Sequence, residues 1–401
     1  MSVQEKFLQY VRFDTQSDET STSAPSTAKQ LVLAKELENQ MKALGLESVS
    51  IDEGGTVYGI LPANAQGYDA IGLIAHMDTA SELTGANVNP QIVENYDGGT
   101  IVLNEEYSMS PAQFPVLEKF IGDDLITTDG TTLLGADDKA GIAIIMEAVE
   151  QLIASGKEHG LVAVAFTPDE EIGRGVDNFD LSRFPVDYAF TLDGGDTKAI
   201  DYETFNAASA VVSFQGTAIH PGDSKGKMVN ASLVAMEFNA LLPALQIPAH
   251  TSGRQGFYHL TEMSGTVDHA ELHYILREHD RAKFEAEKET VLYAAEQINK
   301  KYPDCCSVAI RDQYSNMVDY MNGDFRSIEK AKKAFEAKGI TPVSTPIRGG
   351  TDGAMLTKKG LITPNLGTGS ANHHGRFEFA SIQKMNAMVE LVDEILSTKS
   401  L

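Results

Sequence analysis

Besides a later strand at Leu361–Leu366 (LITPNL), three short apolar runs constrain the fold of this chain: Ala70–Ala75 (AIGLIA), Leu161–Phe166 (LVAVAF) and Tyr188–Leu192 (YAFTL). Each has strand length and carries no polar alternation, as a strand covered on both faces requires. Helical patterns precede and separate them. Leu31, Val32, Leu37, Met41 and Leu44 recur at helical spacing and meet a C-capping Gly45, and Lys139–Ala154 reads as a buried helix closed by Gly156. The rhythm returns near the end, with helices over Ser327–Lys338 and Ser381–Thr398. Such alternation predicts an α/β fold built on a mostly parallel, helix-covered sheet. One stretch breaks it: Thr84–Thr131, rich in Asn, Gly, Pro and Asp, reads as hairpins and loops inserted in the first part.

A second rhythm runs between residues 206 and 315. Strand Ala207–Gln215 precedes helix Lys227–Leu242, strands Gly256–Met263 and Ala270–Arg277, helix Arg281–Lys301 and strand Ser307–Arg311. This β-α-β-β-α-β order predicts a ferredoxin-like α+β domain inserted into the larger one. The expected boundaries are 1–205 and 316–401 for the two parts of the larger domain and 206–315 for the insertion.

The chain has 401 residues, with 57 Asp and Glu against 32 Lys and Arg, a net charge of −25. That charge repels phosphate backbones and anionic lipid, so neither nucleic acid nor membrane is an expected partner. Met1–Phe13 contains Glu5, Lys6 and Arg12 and no apolar core of signal-peptide length. No apolar run approaches the ~18 residues of a membrane span. The cysteines, Cys305 and Cys306, are neighbours and cannot staple distant elements. The expected location is the cytoplasm. There is no G-x-x-x-x-G-K-[ST], no G-x-G-x-x-G after a strand and no G-x-S-x-G elbow, which disfavours nucleotide binding and serine hydrolysis.

Five polar clusters follow the core strands or open the next helix: His76-Met-Asp78, Asp137-Asp138-Lys139, Asp169-Glu170-Glu171, Asp193-Gly-Gly195 and His373-His374-Gly375. Singly, each has an ordinary reading as a turn, a helix cap or a solvated loop. Together they mark the carboxyl ends of strands, where open α/β sheets bind ligands. Imidazole and carboxylate without thiolate suit zinc, manganese or cobalt. Five ligands with one bridging carboxylate would hold two metals about 3.5 Å apart, a design for hydrolysis. Asp78 can then accept the second N–H of His76. Glu170, beside Glu171, can take a proton from metal-bound water.

The segments AHMDT (75–79), GADDKAG (135–141), PDEEIGRG (168–175) and LDGG (192–195) resemble the dinuclear zinc aminoacylase/carboxypeptidase superfamily of metallopeptidases. FNAAS (205–209), IHPG (219–222), KGKMVNA (225–231), GFYHL (256–260) and IRGGTDGA (347–354) are similar to its tripeptide aminopeptidases, and the likeness covers nearly the whole chain. The resemblance implies two Zn²⁺ per subunit, with His76, Asp137 and Asp193 on one and Asp137, Glu171 and His374 on the other. It implies a cis bond between Asp137 and Asp138, and Asp78 as the orienter of His76. Glu170 would be the general base for a zinc-bridging hydroxide that releases the N-terminal residue of a tripeptide. His374 rather than His373 is the implied ligand because it immediately precedes Gly375.

In the inserted domain, read as a lid, the resemblance assigns His220 to the oxyanion, a surface histidine before a turn being the plainer alternative. Arg348 would clamp the peptide carboxylate, unless it forms a structural ion pair. Arg277 is a second candidate for that task, although its neighbours Glu278-His279 depart from the family's pattern. Asn230 is a candidate substrate contact or a polar residue inside a helix. The same metal centre also serves dipeptidases, carboxypeptidases and amide deacylases. Short peptides are the implied partners, with a homodimer formed through the lid.

Overall fold

A computed structural model describes residues 1–400. Two compact units emerge: residues 1–202, 321–344 and 351–401 form the first, and residues 203–320 with 345–350 form the second.

The first unit is built on a seven-stranded sheet. Its order is Glu47–Ile51, Val57–Leu61, Val162–Thr167, Ile71–His76, Tyr188–Leu192, Asn365–Leu366, Ile200–Asp201. The four central strands are mutually parallel and the edges antiparallel. The α/β expectation is met, and the apolar runs are the buried middle of the sheet. Gly72 shows how tightly it packs: an added Cβ would lie 2.3 Å from Phe184 Cε1 and 2.8 Å from Ala189 Cβ. Helix Ala136–Ser155 is apolar on nearly every face and almost wholly buried, as a helix enclosed in a core must be. Gly156 ends it at φ 64°.

Two elements of this unit differ from expectation. Of Leu361–Leu366 only Asn365–Leu366 forms a strand. Ile362 and Pro364 still accept hydrogen bonds from Ala189 and Thr191, but Pro364 has no N–H to return. Helix Val3–Tyr10, with a capping box from Ser2 and Glu5, was not anticipated. The stretch 84–131 does supply short strands, Gln91–Val93, Ile101–Val102, Ser108–Met109 and Leu125–Thr127. They close a separate small core, in which Phe120 meets Phe379 edge-on at 4.9 Å.

The second unit carries the β-α-β-β-α-β order. Its antiparallel sheet runs Phe257–Gly265, His269–Glu278, Asn206–Gln215, Cys306–Tyr314, packed by helices Ala231–Leu241 and Arg281–Lys301. The first helix starts later than its apolar pattern suggests. Val229 exchanges backbone hydrogen bonds with Thr217, and Asn230 caps the helix by accepting the Leu233 N–H at 3.3 Å.

A buried acidic pair in this unit has a measurable consequence. Glu278 and Glu287 both pack on Gly256, where an added Cβ would lie 2.5 Å and 2.6 Å from their oxygens. Glu287 Oε2 is buried without a hydrogen-bond partner. Burial, then the charge of Glu278, pushes the Glu287 carboxyl up to about 9 from an ordinary 4.5. The folded chain therefore keeps a proton that the unfolded chain releases, so stability falls as pH rises through this window. Glu287→Gln removes that dependence. Thermal unfolding of the variant should exceed wild type at pH 8, and the difference should shrink towards pH 5.

Candidate metal centre

His76 ends strand Ile71–His76, Asp193 follows strand Tyr188–Leu192, and Glu170–Glu171 follow strand Val162–Thr167. Asp137 lies at the head of the buried helix, where backbone angles at Asp137 and Asp138 are non-helical and the bond between them is cis. His374 sits in a loop at φ 64°. The strand ends thus converge. Ligand atoms of His76, Asp137 and Glu171 lie within 4.8 Å of one another, as do those of His76, Glu170 and Asp193.

The geometry is directional. His76 Nδ1 faces the backbone oxygen of Asp78 at 3.1 Å and its Oδ1 at 3.3 Å. Nδ1 is therefore the donor, and Nε2 points at Asp137 Oδ1, 3.0 Å away, with Asp193 Oδ1 at 3.9 Å. His374 Nε2 lies 3.0 Å from Glu171 Oε2 and 3.5 Å from Asp137 Oδ2, so Asp137 stands between the two histidines. His373 is nearby but turned away, its Nε2 paired with Ser370 Oγ at 2.9 Å and its Nδ1 3.8 Å from Asp137.

A neutral imidazole nitrogen facing only carboxylate oxygens is an acceptor among acceptors, and the arrangement requires a cation between them. Glu171 Oε1 is buried with no hydrogen-bond partner, a further acceptor waiting for one. Without that cation the histidines would have to carry the positive charge themselves. Bonds to Asp137 and then Glu171 push His374 up to about 11. For His76 burial acts downwards, but the bonds to Asp137 and Asp78 prevail and hold it well above its ordinary range. Burial and then the charge of Asp137 drive the Asp193 carboxyl upwards. An excess of mutually repelling carboxylates around imidazole nitrogens, with no thiol, suits divalent metal ions.

The profile of the peptidase family M20/M25/M40 matches residues 129–398. The chain belongs to this family. Along its length this M20-family chain is also similar to Peptidase T of Desulfitobacterium hafniense strain Y51, 51% identical over 400 residues, covering 98% of this chain and 97% of that protein. Peptidase T of Bacillus subtilis strain 168 is 48% identical over 396 residues, with 98% and 97% covered. Among solved structures it is similar to aminopeptidase PepT from Bacillus cereus ATCC 10987, with a TM-score of 0.79, 25% identity and 98% and 97% of the two chains covered. Within the M20 family the chain is peptidase T-like.

Several supporting contacts of this M20-family site escaped the sequence reading. Asp78 also accepts the Glu170 and Glu171 N–H groups, at 3.0 and 3.2 Å. Asp138 is fully buried, its oxygens taken by the His76 and Gly141 amides at 3.3 Å each. Gly141 is needed there, because a Cβ would lie 2.0 Å from Leu192 O. Glu378 accepts three amides, from Leu134, Gly135 and Asp137, at 3.0, 2.7 and 2.9 Å. Asp169 is held by Ser26 and Gln30, and Asp352 by Thr167 Oγ1 at 2.6 Å.

His220, Arg348, Arg277 and Asn230 belong to the second unit. His220 is 80% exposed, its Nδ1 accepting the Gly222 N–H. Among the described residues Arg348 forms no ion pair of the kind anticipated as its alternative. It donates to the carbonyls of Gly253 and Gln255 at 2.7 and 2.9 Å and to Thr251 Oγ1, and it stacks on Phe205 and Phe257. Arg277 donates to the carbonyls of Ala208 and Leu276 and lies over Tyr314. Asn230 caps its helix rather than lying inside it.

Glu378 tests the site's construction without touching a ligand atom. Glu378→Ala leaves three amides around Asp137 without their acceptor, and loss of such support typically weakens metal binding by about 10–100-fold. Equilibrium dialysis should show that loss while circular dichroism stays unchanged.

Proposed function

We propose that this chain is a two-metal aminopeptidase that removes the first residue of tripeptides. The observation that carries the reading is the convergence of His76, Asp137, Glu171, Asp193 and His374 beside Glu170, at the ends of the central strands. His76, Asp137 and Asp193 would hold one cation, and Asp137, Glu171 and His374 the other. Zinc is our assignment, and the same donors suit manganese and cobalt. When bound, the cations lower the pKa of water towards neutrality and polarise the peptide carbonyl.

The chain's own groups do the rest. Glu170 accepts the proton of the attacking water and returns it to the leaving amine. Burial pushes its carboxyl well above the usual range, with Asp193 and Asp352 adding to that and His76 opposing. A carboxylate under these opposed influences is suited to both halves of the transfer. Asp78 fixes the tautomer of His76 and the turn that carries Glu170. His220 is assigned to the oxyanion: with Nδ1 accepting from Gly222, its Nε2 is the donor.

Arg348 keeps the rest of its guanidinium fork for a peptide carboxylate, with Arg277 in the same role and Asn230 as a further contact. Reading a carboxylate and a free amine at once would limit substrates to short peptides. We place the enzyme in the cytoplasm; among the described residues no helix is long and apolar enough to cross a membrane. A homodimer through the second unit is supported by exposed Leu233, Met236, Leu241 and Leu245.

Product analysis by mass spectrometry on a tripeptide of three different residues tests this. Only the N-terminal residue should be released, only from the free peptide and not its N-acetyl form, and chelator should abolish release. C-terminal release, or cleavage of the acetylated form, would move the enzyme to a carboxypeptidase or deacylase. Glu170→Gln should lower kcat by about 10²–10⁴-fold with both metals still bound.

A further inference from the structure

Beside the metal centre of the first unit lies an open cleft of about 770 Å³. Its walls are continuous with the loops that carry the metal ligands. Gly195 and Asp196 line it just beyond Asp193, and His373 lines it just before His374. The two loops are laced together, Thr368 N–H to Gly194 O at 2.8 Å and Gly369 N–H to Gly195 O at 3.1 Å. The cleft is therefore fixed to the site of reaction.

Its charge runs against that of the chain. In a protein of net charge −25, this lining carries Lys119, Lys198 and Lys384 against a single carboxylate, Asp196. Lys119 faces Asp196 at 3.7 Å. Lys384 is 3.4 Å from Asp123 and lies over the Phe120 ring. Lys198 has its backbone fixed, its N–H on Asp196 Oδ1 and its carbonyl on the Val343 N–H. Its ammonium has no ion pair among the described residues.

Resting on the aminopeptidase reading above, we propose that this cleft receives the side chain of the substrate's first residue and favours a carboxylate there, with Lys198 as its partner. The carbonyl attacked in an aminopeptidase belongs to that residue, and its side chain leaves the adjacent carbon. A chamber that begins within two residues of the ligands is where that side chain arrives. Lys198 is the specificity-determining residue, and Lys119 and Lys384 bias the local field in the same direction.

The test compares Glu-Gly-Gly with its near-isosteric neutral partner Gln-Gly-Gly by kcat/KM, in wild type, Lys198→Ala and Lys198→Glu. At low salt wild type should favour the Glu peptide by about two- to fivefold, the range of a partly exposed ion pair, and added salt should shrink the ratio. Lys198→Ala should bring it towards one, and Lys198→Glu should turn preference to Lys-Gly-Gly. A wild-type ratio near one, or one unchanged in Lys198→Ala, overturns the subsite. Ala-Gly-Gly and its C-terminal amide separate the other carboxylate source: if Lys198→Ala abolishes discrimination between those two instead, the cleft reads the chain terminus and the proposal fails. Release of the N-terminal residue from Ala-Gly-Gly without Glu/Gln discrimination sinks the subsite alone. No cleavage of any tripeptide sinks both readings.

Discussion

The site depends on one buried carboxylate, Asp78. Its backbone oxygen and side chain hold Nδ1 of His76, while both its carboxylate oxygens receive the amides of Glu170 and Glu171. One side chain thus ties the end of strand Ile71–His76 to the turn after its parallel neighbour, Val162–Thr167. The imidazole's direction and the backbone of Glu170, the proposed general base, are set by the same group. Supporting contacts of this kind commonly matter nearly as much as the ligands themselves, and here the ligand and base supports cannot be separated.

Around that anchor the chain concentrates negative charge it does not neutralise. Asp137, Glu171 and Asp193 crowd the histidine nitrogens, with Asp138 and Glu378 buried behind them. The protein answers with backbone amides: Glu378 takes three and Asp138 two. Bonds of this sort oppose the burial that raises both carboxyls, without introducing a competing cation. The remaining negative charge is then available to metal ions.

The parts of this arrangement legible in the sequence were those in which a residue type and its strand position carry the meaning. Histidine and carboxylate clusters after apolar runs marked the strand ends correctly. The insertion's order was readable because hydrophobic period distinguishes helix from strand. The supports were not legible. Glu378 serves amides more than 240 positions away, and no local pattern announces a carboxylate that bonds to backbone rather than to a side chain. Arg348 looked free for an anion, yet carbonyls that only the folded loop brings together occupy part of its fork. Asn230 did carry a local sign, since Asn before an apolar helical run is a capping residue. The Thr217–Val229 bridge that sets where this helix begins is non-local.

The adjacent histidines show how backbone conformation decides chemistry that sequence leaves open. His373 and His374 have the same side chain and nearly the same distance along the loop to travel. His374 adopts φ 64°, a conformation uncommon for a non-glycine residue, and this turns its Nε2 onto Glu171 and Asp137. His373 pairs its Nε2 with Ser370, itself bonded to Thr368, beside the loop that continues from Asp193. That polar chain ends at the residues laced to Gly194 and Gly195. One histidine is thereby directed at the metal centre, while the other becomes part of the wall between that centre and the neighbouring cleft. The division is made by backbone geometry acting on two identical side chains.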